Sequence, residues 1–273
     1  MNKLKEYVKE FYHIATKPEI RILPGNLAFF LMLSLVPIIT LVGILCSKFS
    51  ISILEFISTF ENFLPTAVVE FLHPFFNETT SGTNIILFLI LGFIVASNGA
   101  HAIILASNAL YKIDDANYIV RRIKAFFLTI ILMLLFVFAL VVLAFGNIIV
   151  SFILELQIFS NIASSVYEIF VWFKWPIAFV LIFIMIKALY TMAPDMKISS
   201  KYVNLGSLFT TVGWILSTAI YSFYANNLAN YDRFYGNISN IAILMIWLYL
   251  ISYIFVIGIA INTSYYKIDD KKE

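Results

Sequence analysis

Charge is scarce in this chain. Asp, Glu, Lys and Arg make up 12% of its 273 residues, about half of the roughly 25% usual in soluble domains. With 62% of the residues hydrophobic, a soluble globule would expose apolar surface it could not cover, and a polytopic membrane protein is expected. Cysteine is nearly absent. Cys46 stands alone, which excludes an internal disulfide, and its apolar surroundings read as those of a small packing residue. The only histidines are His13, His73 and His101, on three different segments. No His, Cys, Asp or Glu pair has zinc-like spacing, so neither a metal nor another cofactor is expected. A phosphate-cradling loop, a dinucleotide glycine fingerprint and a strained Gly-x-Ser-x-Gly turn are missing too. Residues 1–25 mix Lys with Glu and lack the short apolar core that precedes a cleavage site. The first apolar run is therefore expected to stay as an anchor.

What is present is a series of long uncharged runs. They predict an all-α polytopic bundle, one membrane domain over residues 1–273, with spans near 27–46, 85–106, 125–150, 175–193, 202–225 and 241–261. About 20 residues at ~1.5 Å rise cross a hydrocarbon core of ~30 Å. Ahead of the first span, Leu4, Tyr7, Val8, Phe11 and Ile14 recur at helical spacing. They predict an amphipathic helix over 2–22 lying on the membrane surface. Pro37 should bend the first span, with Ser34 within one turn to help satisfy the freed carbonyls. Residues 48–83 are too polar to span and read as one or two short amphipathic helices broken near Pro65 and Pro74. Residues 151–173 form a second outer segment, and Pro176 falls in the first turn of the fourth span, where a missing N–H costs little. In the fifth span Gly206, Thr210, Gly213 and Ser217 form a small-residue ridge suited to close helix contact.

The charges that exist are sorted by side. Every Lys and Arg except Lys48, Lys174 and Arg233 falls on the side of the two termini, which is then cytoplasmic. This predicts a bacterial inner-membrane protein with both termini inside. The outer side carries Glu55, Glu61, Glu70, Glu78, Glu155, Glu168 and Asp232 and is acidic. Lys187 lies near the inner end of its span, where its stem can snorkel to the interface.

Two groups of residues stand out as candidate sites. Asn98, His101 and Asn108 fall within about a quarter-turn on one helical face. Together with Ser34 they read either as a hydrophilic pathway, proton-linked through His101, or as interhelical hydrogen bonds that fix packing, worth only ~0.6 kcal/mol on average in membranes. The second group is the outer loop between the last two spans, with Tyr231, Asp232, Arg233, Tyr235 and Gly236. It reads as a lock of the hairpin or as a contact for a solute, a lipid or an outer partner.

Several short motifs recur in a fixed order: Leu27-Ala28-Phe29-Phe30 leading to Leu33-Ser34-Leu35-Val36-Pro37, then Asn98-Gly99 and Leu110-Tyr111, Tyr190 to Pro194, Tyr231 to Gly236, Trp247-Leu248-Tyr249, and Gly258 to Asn262. With them the chain resembles, over nearly its whole length, the YihY/BrkB family of bacterial inner-membrane proteins, once called ribonuclease BN. The resemblance implies six spans and a transport role. One position departs: the family commonly has an acidic residue two positions before the final Asn, and here that position is Ala260. A carboxylate-borne ion or proton role is thus not implied for this chain. Ribonuclease activity is not expected, because no carboxylate–histidine cluster is placed to hold the metals or general base of phosphodiester hydrolysis. The basic residues are explained by topology, and no nucleic acid is expected as partner. The reading is a non-enzymatic transporter or exporter of a small polar solute, with the lipid bilayer as its constant partner. The alternative is a non-catalytic envelope factor that binds lipid or a partner protein through 48–83 and 230–237. Nothing in the sequence sets an oligomeric state.

Overall fold

A computed structural model describes residues 2–48, 66, 70, 85–114, 116–135, 160–227 and 235–270. The described residues are helical or turn, with no strand among them. The helices are α1 (Asn2–Ala15), α2 (Pro18–Lys48), α3 (Ile85–Tyr111), α4 (118–135), α5 (Ser160–Met192), α6 (Asn204–Asn227) and α7 (Ser239–Asp270). Short 3-10 turns, Ser200–Val203 and Gly236–Ile238, lead into α6 and α7. Among the described residues, three stretches are long and apolar enough to cross a membrane: Ile90–Tyr111, Ser200–Asn227 and Ser239–Ile268. Pro176–Met192 is a shorter apolar helix. The expected first span, 27–46, lies wholly inside α2. Residues 136–150 of the expected third span lie outside the described residues, as does most of 48–83.

Three expectations are corrected. The N-terminal helix stops at Ala15, because the Thr16 hydroxyl turns back to the Tyr12 carbonyl at 2.9 Å and Pro18 opens a new helix. Residues 18–22 therefore belong to α2. Second, the part of the α1 apolar face that holds Tyr7, Phe11 and Ile14 turns to the protein. Ile14 is fully buried, Phe11 packs against the core, and Tyr7 stacks on Tyr265 of α7 with ring centroids 5.4 Å apart. Third, Pro176 does not lie in the first turn of its helix. Helix α5 starts at Ser160 and runs through this proline, as membrane helices tolerate when neighbours satisfy the freed carbonyl.

Helix α7 is the hub. It touches α1, α2, α3 and α6 along its length, and α5 through the Tyr190–Phe255 ring pair at 4.6 Å. Its contact with α6 follows the small-residue ridge. A Cβ on Gly206 would collide with the Asn262 side chain and the Gly258 carbonyl, and one on Gly258 with the Thr210 and Tyr190 hydroxyls. At Gly213 it would meet Ile254 Cγ2 at 2.7 Å. Ser217, the last member of the expected ridge, bonds within α6, its hydroxyl 3.3 Å from the Trp214 carbonyl. The large side chains beside the ridge anchor to α7 main chain: Trp214 Nε1 donates to the Ile251 carbonyl at 2.8 Å and Tyr221 to that of Ile243 at 3.1 Å.

The α6–α7 approach gives a direct test. Gly258→Ala should destabilise the bundle by about 1–3 kcal/mol through overpacking, read as a lower unfolding temperature in detergent. Gly25→Ala, at a helical position with nothing within 4 Å of the added Cβ, should be neutral or slightly stabilising. Equal losses at the two positions would contradict the close contact.

Candidate functional site

The expected polar face of α3 exists, and neighbouring helices occupy it. Asn98 Oδ1 accepts Arg122 Nη1 at 2.8 Å, while Arg122 Nη2 donates to the Ile94 carbonyl at 2.9 Å. The same guanidinium lies over the Phe126 ring, 5.2 Å from its centroid. One turn further on, His101 meets the Tyr118 ring edge-on at 6.1 Å. Both partners come from the start of α4, so this face of α3 is the seam along which α4 climbs. Ser34 reaches α3 from α2. Its hydroxyl donates to the Phe30 carbonyl at 2.6 Å, lies 3.3 Å from that of Val95, and accepts the Gly99 N–H at 2.9 Å. One turn of α3, Ile94–Gly99, is thus held by side chains of two neighbouring helices. Gly99 permits this, since a Cβ there would sit 3.0 Å from Ser34 Oγ.

Asn108 belongs to a separate cluster at the other end of α3. Its Nδ2 donates to Asp195 Oδ2 at 2.7 Å, and its Oδ1 accepts the Asp195 N–H at 2.9 Å. Lys124 Nζ bridges the other carboxylate oxygen at 2.8 Å and also donates to the Ala193 and Pro194 carbonyls. This clasp ties together the ends of α3 and α5 and the start of α4. The end of α3 itself is closed by Lys112 in the left-handed region (φ 58°), which lets the Ile113 N–H reach the Asn108 carbonyl at 3.0 Å. Partial burial pushes the Asp195 carboxyl up. Hydrogen bonds from Lys124 and Asn108, the Lys124 charge and the Ala116 N–H outweigh it and hold the group below the usual carboxylate value. Ser34, Asn98, His101 and Asn108 therefore do not converge on one point.

A third polar cluster lies where α5, α6 and α7 meet. The Tyr190 hydroxyl donates to the Phe255 carbonyl at 2.8 Å and lies 2.6 Å from Thr210 Oγ1. Asn262 Oδ1 accepts the Gly206 N–H at 2.8 Å. Tyr190, Thr210 and Asn262 are each at most 2% exposed. Periodicity marked Thr210 and Gly206 only as a packing ridge, and Tyr190 and Asn262 only as parts of motifs. Their shared signal was available as uncharged polar residues inside otherwise apolar spans. Among the described residues no group of three or more His, Cys, Asp and Glu gathers.

Of the loop between α6 and α7, Tyr231, Asp232 and Arg233 lie outside the described residues. Tyr235 is exposed, and Gly236 has φ +52° with open space where a Cβ would point, a conformation that favours glycine. Thr66 donates to Asn226 Oδ1 from both its N–H and its hydroxyl at 3.1 Å, and Asn240 Nδ2 donates to Glu70 Oε2 at 3.2 Å. These bonds tie Thr66 to the end of α6 and Glu70 to the start of α7.

The clasp makes a pH-dependent prediction. Asp195→Ala should lower stability at neutral pH by about 1–3 kcal/mol, a value discounted for the partial exposure of Lys124. The unfolded chain takes up the Asp195 proton at about pH 4, before the folded chain does. The stabilisation is therefore complete above that pH and is lost as pH falls through the lower folded value. Unfolding temperatures of the wild-type and variant proteins should converge on acidification below pH ~4; a gap that persists there would contradict the ionic clasp.

The family described as virulence factor BrkB matches residues 15–273. The chain is 29% identical over 265 residues to the ribonuclease-like protein YfkH of Bacillus subtilis, covering 96% of this chain and 95% of that protein. It is 26% identical over 262 residues to a UPF0761 membrane protein of Vibrio campbellii, covering 91% of this chain and 78% of the relative. A UPF0761 membrane protein of Idiomarina loihiensis is 25% identical over 209 residues, 75% of this chain and 70% of that one. No solved structure matches the chain. The family match begins at the last residue of α1 and runs through every later helix, so the chain belongs to the BrkB family of bacterial membrane proteins.

Proposed function

We propose that this chain is a six-span protein of the bacterial inner membrane, with both termini cytoplasmic, that carries a small polar solute across the bilayer. The observation that carries the reading is the buried junction of Tyr190, Thr210 and Asn262. Hydrocarbon-facing helices need no such residues, and polar side chains in a bundle interior are the usual lining of a solute route. The orientation is supported by the distribution of Lys and Arg, all on one side except Lys48, Lys174 and Arg233. The clasp of Lys124 and Asp195 belongs to that basic side. Thr66 and Glu70 bond to Asn226 and Asn240 of this same chain, which favours the carrier over an envelope factor presenting that segment to a partner. Of the three relatives named above, one carries the ribonuclease-like name and two are named only as membrane proteins. The reading gives this chain no catalytic role.

Purified protein in liposomes, tested against a panel of radiolabelled polyols, amides, amino acids and organic acids, should move at least one of them faster than empty vesicles. No flux of any solute, together with unchanged solute pools in a deletion strain, would defeat the carrier reading. The topology has its own test. Green fluorescent protein fused after Glu273 should fluoresce, and alkaline phosphatase fused after Asn230 should be active. The reverse pattern would invert the orientation.

A further inference from the structure

We propose that the junction of α3, α5, α6 and α7 is a hydrated chamber that binds a small uncharged solute bearing hydroxyl or amide groups. The proposal rests on the carrier reading for its meaning in transport, but the chamber can be tested without flux. Three buried polar side chains lie on α3 and α7, which touch each other. Ser107 and Tyr111 lie four residues apart on α3 and so share a face; they are 1% and 7% exposed, and Asn262 of α7 is 0% exposed. The Tyr111 ring meets Tyr266 edge-on at 6.0 Å, and its hydroxyl faces Thr263, the residue next to Asn262. Tyr111 also lies within the electrostatic reach of Tyr190.

While the Tyr111 hydroxyl has the Thr263 side chain beside it, Ser107 Oγ and Asn262 Nδ2 have no hydrogen-bond partner among the described residues. The Asn262 rotamer is not free to seek one, because Oδ1 is held by the Gly206 N–H at 2.8 Å. The amide nitrogen therefore points away from that contact with both hydrogens unused. A buried polar group without a partner is costly, and two such groups, on α3 and on α7, are accounted for by an occupant that bonds them. The donor set defines its chemistry. Nδ2 offers two N–H groups, and the two hydroxyls can each give or accept, which suits hydroxyl, carbonyl and water oxygens. The contributing stretches, 107–111, 206–210 and 258–263, contain no Asp, Glu, Lys or Arg. An ion entering there would lose its hydration without a countercharge, so a charged solute is disfavoured.

The test uses the full-length protein with Cys46→Ser, which removes the one native thiol, and Ser107→Cys. Thiols react as thiolates, which form where water reaches them. Hydroxyethyl methanethiosulfonate, small and neutral, should modify Ser107→Cys at least tenfold faster than Val256→Cys, a control at a fully buried apolar position. The trimethylammonium and sulfonate reagents should react at least tenfold more slowly than the neutral one at Ser107→Cys. A neutral rate no faster than at Val256→Cys, or charged reagents as fast as the neutral one, would overturn the proposal. A second variant guards against misfolding of the first. Ser107→Ala should lower the unfolding temperature, because it removes a bonded hydroxyl; an unchanged or raised value would show the hydroxyl to be unbonded and overturn the chamber. Labelling without flux of any solute would leave the chamber standing and remove the transport reading.

Discussion

The contact between Gly206 and Gly258 is what the rest of the bundle depends on. In lipid no hydrophobic force draws helices together, so association relies on close packing and on hydrogen bonds between helices. Two glycines facing each other bring α6 and α7 near enough that an added Cβ on either would strike main chain or a hydroxyl. That approach sets the register of everything beside it. It places Asn262 against the Gly206 N–H, and Thr210 beside the Tyr190 hydroxyl that recruits α5. It also brings Trp214 onto the Ile251 carbonyl and against Phe255, with ring centroids 6.1 Å apart. A larger residue at either glycine would disturb packing and polar bonding together.

A second constraint acts on α3. Where water is absent, polar groups must find partners within the protein, and α3 finds different ones at its two ends. At Ile94–Gly99 the partners are Ser34 from one side and Arg122 from the other. Arg122 meets neutral acceptors there, an amide oxygen and a carbonyl, and an aromatic face. At Asn108 the partners are charged, in the Lys124–Asp195 pair. The polar side chains of α3 on the face toward α4 thus meet neighbouring helices, while Tyr111 of the same helix meets α7.

Much of this was legible in the chain. The apolar runs placed the bodies of α2, α3, α6 and α7, because a long uncharged stretch has one stable outcome in a bilayer; α6 lies within two residues of its run, whereas α2 begins nine residues earlier, at Pro18, and α7 ends nine residues later, at Asp270. The spacing of Gly206, Thr210 and Gly213 named a real contact face. What periodicity cannot carry is the identity of partners. Asn108 and Asp195 are 87 positions apart, and nothing local to either announces the other. Pro176 looked like a helix start because proline is common there, yet α5 passes through it. The apolar face of α1 was assigned to lipid because sequence alone cannot distinguish a lipid surface from a protein one. Tyr7 shows the difference, since its neighbour in space is Tyr265.

The separation of charge from the junction bears on how the protein can respond to its surroundings. Ala260 is wholly buried, its carbonyl accepting the Ser264 hydroxyl at 2.8 Å. A carboxylate at this position, as the family resemblance would suggest, would face desolvation, with the next basic residue along α7 only at Lys267. An alanine removes that cost and leaves the polarity of the α7 interior to amides and hydroxyls, which do not change charge near neutral pH. The titrating carboxylate of the clasp is Asp195, at the cytoplasmic end in the proposed topology, and Lys124 and Asn108 keep it ionised well below neutrality. Acid therefore acts on the seam that joins α3, α4 and α5 before it reaches the junction. Polarity inside the bundle is then carried by amides and hydroxyls, while the fastening at the Lys124–Asp195 end is governed by charge.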